Sequence, residues 1–276
     1  MEDINVIDWL NYCDENNIKP WLWDFKNYSL SPFQNDSITA FLKYKELPKN
    51  EGIDCDKAAL FLYKVLGWQH SESDIIRGET INSYITTFTQ AITKDPNYEE
   101  ICEKIGVNLN EHLNKQYPIL YHNKSYQKFE TIQRNIKEFE LFAILTHTIG
   151  NFTVLPSWMN TGRYYFSRDY WDITLLSLQE WLNILSPDAW TNFVETYYLQ
   201  PYVNTEYNVE LFWEGHDKKI LPKKENYPVF LKKVNERIEE RGKYIIKQVC
   251  DKLNQKDYHF YKEIENMDKI KFSNEF

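Results

Sequence analysis

The chain has 276 residues, 42% hydrophobic, 16% aromatic and 26% charged, enough to bury one large core or two small ones. Forty-one acidic against 32 basic residues leave a net charge of −9, which opposes broad binding to a phosphate backbone. Only 8 glycines argue against sandwiches, barrels and phosphate-cradling loops, and for helices.

Cys13, Cys55, Cys102 and Cys250 are widely spaced with no CxxC pair, so neither a metal finger nor a redox motif is expected. A disulfide framework is not expected in a chain of this size either. The opening MEDINVIDWL lacks the basic and apolar regions of a signal peptide. No run approaches the roughly 18 apolar residues of a spanning helix. These features predict a cytoplasmic protein with no membrane partner. Its richness in Lys, Asn, Ile and Tyr fits an AT-rich bacterial genome or mobile element.

In chain order, Ile4, Ile7, Trp9 and Leu10 fit a first short helix, Pro20-Trp21-Leu22-Trp23 makes an apolar hook, and Ser37 to Tyr44 suits another helix. Asp54 can cap the next, where Ala58, Ala59, Leu62, Val65 and Leu66 form a stripe that Gly67 ends. A helix is predicted from Asp74 or Thr80 to Ile92, stopping before Asp95-Pro96. Tyr98 to Ile105 ends at Gly106, and a polar helix from Leu109 to Lys115 is closed by Pro118. A long amphipathic helix then runs from about Ser125 to Thr146, with Phe129, Ile132, Ile136, Phe139 and Phe142 at helical spacing.

Gly150 ends that helix, and Phe152 to Leu155 is extended coil or a brief strand limited by Pro156. Phe166 to Leu185 is read as a helix burying Ile173, Leu176, Trp181 and Leu185. Ser186-Pro187 suits N-cap and first position of a helix through Tyr198. Pro201, Pro222 and Pro228 mark residues 200–228 as loop. The last helix, Val229 to about Leu253, puts Phe230, Val234, Ile238, Ile245 and Val249 on one face and a Lys-, Arg- and Glu-rich solvated face opposite. The basic clusters Lys218 to Lys224 and Lys232-Lys233 read as solvated surface. The expected fold is mainly α: one irregular multi-helix domain over residues 1–255 with at most a minor β-hairpin, and a loosely docked or mobile tail at 256–276.

The candidate chemistry concentrates in HTIGNFTVLPSWMNTGRYYFSRDYWD, residues 147–172. Asn151 follows Gly150 and can bond freed helix carbonyls. Arg163 can pair with Asp169 or Asp172 in a fork that fixes the loop, or can grip an anionic ligand. His147 suits either a helix C-terminus or a general base, and Asn160 lies in the turn before Arg163. A second polar stretch, RGETINSYITTF from Arg77 to Phe88, includes Asn82. Read as helix it is rich in hydroxyls that compete for backbone bonds, so it either joins residues 147–172 in one polar cluster or forms a surface helix of weak propensity. No HExxH, GxSxG, GxGxxG or P-loop occurs, so no metal site and no cofactor is assigned.

The segments GETINSYITTF, TIGNF and DYWD resemble those of a group of uncharacterised bacterial proteins, a likeness that covers about residues 75–185. TIGNFTVLPSWMN also resembles the tail half of HNH-type nuclease domains of restriction and phage-defence proteins. The His-Ile-Pro element that precedes that tail in those domains is missing before Thr148. The leading functional reading is a bacterial protein whose polar cluster, residues 78–88 and 147–172, binds a ligand or protein partner, in mobile-element or phage-defence biology. Arg163, Asp169, Asp172, Asn82 and Arg77 are its ligand-binding candidates. The alternatives are an HNH-related metal-dependent nuclease with His147, Asn151 and Asn160 near its site, and a structural interaction protein that docks through aromatic loops such as Trp21 to Phe25.

Overall fold

A computed structural model describes residues 5–26, 37–46, 55–68, 76–111, 113–156, 171–216 and 222–276. Among the described residues the chain is mainly α-helical. The helices are α1 (Val6–Glu15), α2 (Ser37–Glu46), α3 (Cys55–Leu66), α4 (Tyr84–Thr93), α5 (Tyr98–Ile105), α6 (Leu113–Tyr121), α7 (Glu130–Arg134), α8 (Ile136–Leu145), α9 (Trp171–Leu185), α10 (Ala189–Tyr197) and α11 (Tyr227–Leu253). No described helix is long and apolar enough to cross a membrane.

The axis of the molecule is α11, 27 residues long. Val234, Ile238, Ile245 and Val249 are fully buried along it, as the apolar spacing predicts, and Ile246 is buried with them. It packs against α8, α3 and the short turns Pro20–Leu22, Ile149–Asn151 and Gln200–Tyr202. The approach to the Ile149–Asn151 turn is so close that a Cβ on Gly150 would lie 2.0 Å from the Ile238 carbonyl oxygen. Gly242 completes the contact from the helix side, with Trp21 behind it. Two side-chain-free positions thus let backbone meet backbone in the middle of the core.

Two short strands, β1 (Ile76–Thr80) and β2 (Phe152–Pro156), pair antiparallel from Ile76↔Pro156 to Thr80↔Phe152. This minor β element is not a hairpin; α4 to α8 lie between its strands. The strand at 76–80 corrects the expected helix start. Helix α4 begins only at Tyr84, where Ser83 Oγ accepts from the Thr86 N–H at 3.3 Å. Thr87 Oγ1 also donates to the Ser83 carbonyl at 3.0 Å. The hydroxyls that burden an interior therefore sit at a helix start, where they are favoured.

The long helix expected from Ser125 to Thr146 is broken. Residues 122–128 form a 3₁₀ segment with Asn123 and Lys124 at positive φ, Phe129 is extended, and Asn135 separates α7 from α8. Pro118 lies inside α6 rather than closing a helix at Lys115. Helix α10 starts at Ala189 with Asp188 before it, so Ser186-Pro187 precedes the helix. On α9, Ile173, Leu175, Leu178 and Leu182 are buried, whereas Leu176 and Leu185 face outward.

The aromatic hook from Trp21 to Phe25 is core and not a docking surface: Trp21 and Phe25 are each 1% exposed. Phe25 packs on Phe152 at 5.7 Å and Trp9 meets Trp23 edge-on at 5.9 Å. The segment expected as a loose tail is docked. Tyr258, Phe260, Tyr261 and Ile264 are buried, Tyr261 Oη donates to Asp251 at 2.6 Å, and the Ser273 N–H donates to the Val203 carbonyl at 2.8 Å.

Candidate functional site

The sheet ends in a side chain. Beyond the Thr80↔Phe152 pair, the Ile81 N–H donates to the Asn151 carbonyl, and the Asn151 amide then continues the ladder in place of backbone. Its Oδ1 accepts from the Asn82 N–H at 2.8 Å and from Asn82 Nδ2 at 3.2 Å. Its Nδ2 donates to the carbonyls of Asn82 at 3.0 Å and Thr146 at 2.8 Å. Asn151 is wholly buried and both of its amide groups are spent. Asn82 uses its remaining donor on Tyr202 Oη at 3.2 Å. The two asparagines predicted from sequence do meet, in a closed interior, where they bind each other.

His147 lies beside this turn and is 5% exposed. Its ring stacks on Phe41 at 5.7 Å, and Nδ1 stands 3.7 Å from Asp24 Oδ1. Burial, with Lys26 and Lys45 nearby, holds its pKa well below the ordinary imidazole value. A neutral imidazole packed on an aromatic ring serves the core here.

Asp172, at the start of α9, is fully buried and anchors a second group of contacts. Its Oδ1 accepts from the Ile173 N–H at 2.9 Å, and its Oδ2 accepts from the Phe212 N–H at 2.8 Å and contacts His216 Nδ1 at 2.5 Å. Trp213 covers the imidazole at a ring distance of 3.7 Å. The pairing that sequence reasoning sought for Asp172 is thus made with a histidine it did not consider. Arg163, Asp169 and Asn160 lie outside the described residues, as does the Arg77 side chain; the Arg77 backbone belongs to β1.

Two arginines of α11, read from sequence as part of a solvated face, are buried: Arg237 is 1% exposed and Arg241 is inaccessible. Arg241 donates to four backbone carbonyls. Nη1 reaches Gly150 and Phe152 at 2.8 and 2.5 Å, Nη2 reaches Tyr197 at 2.8 Å, and Nε reaches Tyr198 at 2.9 Å. Tyr197 and Tyr198 close α10, so the guanidinium also meets the negative end of that helix. Burial pushes its pKa down to about 10, which leaves it charged at neutral pH.

Arg237, one turn earlier, is treated differently. Its Nη1 and Nη2 find no hydrogen-bond acceptor among the described residues. The Glu210 carboxylate stands 3.8 Å from Nη2 and is itself held by Lys233 at 3.1 Å. The rings of Tyr202 and Phe212 lie 5.6 and 5.2 Å from the guanidinium carbon. Tyr202 bonds Asn82, and Phe212 bonds Asp172 through its N–H. A continuous interior network therefore runs from Asn151 through Asn82, Tyr202, Arg237 and Phe212 to Asp172 and His216.

Arg237 and Arg241 carried a sequence signal, because Arg237 falls three residues after Val234, and Arg241 three after Ile238 and four before Ile245, on the core face of α11. Tyr202 and His216 sit in irregular segments and carried none. Among the described residues no three His, Cys, Asp or Glu side chains are grouped to hold a metal. Two open clefts, at residues 93–100 and 105–128, contain none of the network's residues. Comparison with known proteins gives no match to a family model, a curated protein or a solved structure.

Proposed function

We propose that this chain is a ligand-binding protein whose site lies at the Asp172–His216 end of the interior network, while the Asn82–Asn151 end is scaffold. The observation that supports this reading is the buried carboxylate–imidazole pair. Asp172 fixes the orientation of His216 through Nδ1, and both side chains are fully enclosed. Removing an aspartate and a histidine from water costs several kcal/mol by order of magnitude. Such pairs recur where an imidazole must be presented in one orientation. The nuclease alternative draws less support, because Asn151 spends its amide on core partners and His147 packs on Phe41, while its third residue, Asn160, lies outside the described residues. Three buried free cysteines, Cys13, Cys102 and Cys250, accord with a cytoplasmic setting.

Thermal shift across a panel of small acids, nucleotides and sugars tests the reading. Compounds that raise the melting midpoint of the wild type should lose that increment in Asp172→Asn and His216→Gln. The increment should persist in Asn82→Ala, although that variant starts from a lower midpoint. The opposite pattern, or no shift with any compound, contradicts the reading.

A further inference from the structure

We infer that Arg237 is the receptor for a small oxyanion, a carboxylate, phosphate or sulfate enclosed between α11 and the 202–216 segment. This inference rests on the ligand-binding reading above and names the class of ligand that such a site takes. Arg237 is 1% exposed, and its two terminal nitrogens are buried with no acceptor among the described residues. A buried guanidinium normally spends its N–H groups, as Arg241 does on the same helix with four carbonyls.

The surroundings of Arg237 temper its charge without using its donors. Glu210 lies at 3.8 Å, beyond hydrogen-bond reach, and aromatic rings at 5.2 and 5.6 Å attract the cation but offer no acceptor oxygen. An oxygen-bearing anion can accept two parallel N–H bonds from such a group, the fork geometry that suits carboxylate, phosphate and sulfate. The position is set by the fold. Arg237 lies on the core face of α11 between Val234 and Ile238, and Phe212, which packs on it, also bonds Asp172. An anion at the guanidinium edge would therefore sit beside the Asp172–His216 pair.

The test uses the full chain in chloride-matched buffers, titrated separately with inorganic phosphate, sulfate and acetate. The wild-type melting midpoint should rise with the concentration of at least one of these oxyanions and not with chloride. Arg237→Met should abolish that dependence, and Arg237→Lys, which keeps the charge without the fork, should retain it at reduced affinity. Wild-type protein whose midpoint ignores all three oxyanions overturns the inference without needing either variant. An oxyanion response that survives in Arg237→Met overturns it too. If oxyanions have no effect while His216→Gln still removes the response to a neutral compound of the panel, the ligand-binding reading stands and the oxyanion inference falls alone.

Discussion

Arg241 and Arg237 stand one turn apart on the buried face of a single helix and are treated in opposite ways. Arg241 joins α11 to the Ile149–Asn151 turn, to β2 and to the end of α10, all through backbone carbonyls. Arg237 holds two terminal nitrogens without an acceptor, among side chains linked to Asp172 and His216. The same residue type at the same depth thus ties the scaffold together in one place and leaves terminal N–H groups without an acceptor among the described residues in the other. What distinguishes them is the polar groups each is given to bond. Burial alone would have grouped them.

The sharpest challenge to the scaffold side is Gly150→Ala. A Cβ 2.0 Å from the Ile238 carbonyl oxygen cannot be accommodated without moving α11. The variant should lose at least ~3 kcal/mol in urea denaturation, the upper part of the overpacking range. Arg241→Met leaves three buried carbonyls and the half-buried Tyr198 carbonyl without this donor and should cost about 3 kcal/mol. Asn151→Ala strips the Asn82 N–H and the carbonyls of Asn82 and Thr146 of their partner and should cost about 2 kcal/mol by the same measurement.

A smaller effect is set by pH. His147 has a folded-state pKa well below its unfolded value near 6.5, so the unfolded chain binds the extra proton. Its contribution is complete above the unfolded pKa and is lost as pH falls below about 6.5, at up to ~1.4 kcal/mol per pH unit. Denaturation midpoints between pH 7.5 and 5.5 should fall less steeply for His147→Gln than for the wild type. Equal slopes would show that His147 does not govern this range.

Much of the helical frame was legible because its signals are local. Gly106 stops α5 at positive φ, Pro156 limits β2, and the apolar spacing of α11 matches its buried face. Strand β1 was not legible. Its sequence, IRGET, has no apolar alternation, and its partner lies beyond five helices, so only the assembled fold makes it a strand. The break at Asn135 was hidden for a similar reason, since the apolar pattern continues across it while the backbone does not.

The candidate site was half legible. Asn82, Asn151, His147 and Asp172 stood out by type and position, and the structure places all four in its interior. Their partners were missed because arginine on an amphipathic helix is first read as surface, and because Tyr202 and His216 come from segments without periodicity. Spacing could have flagged Arg237 and Arg241. Only the fold could show that one is satisfied and the other is not.

The most direct measurement is urea denaturation of Arg241→Met and Arg237→Met, side by side with the wild type, in buffer free of oxyanions. The expected result is a large fall in the Arg241→Met midpoint, with Arg237→Met unchanged to within ~1 kcal/mol or more stable, because it removes a buried cation whose terminal nitrogens have no hydrogen-bond acceptor among the described residues. Equal destabilisation of the two variants would contradict it, since Arg237 would then be as much a part of the scaffold as Arg241.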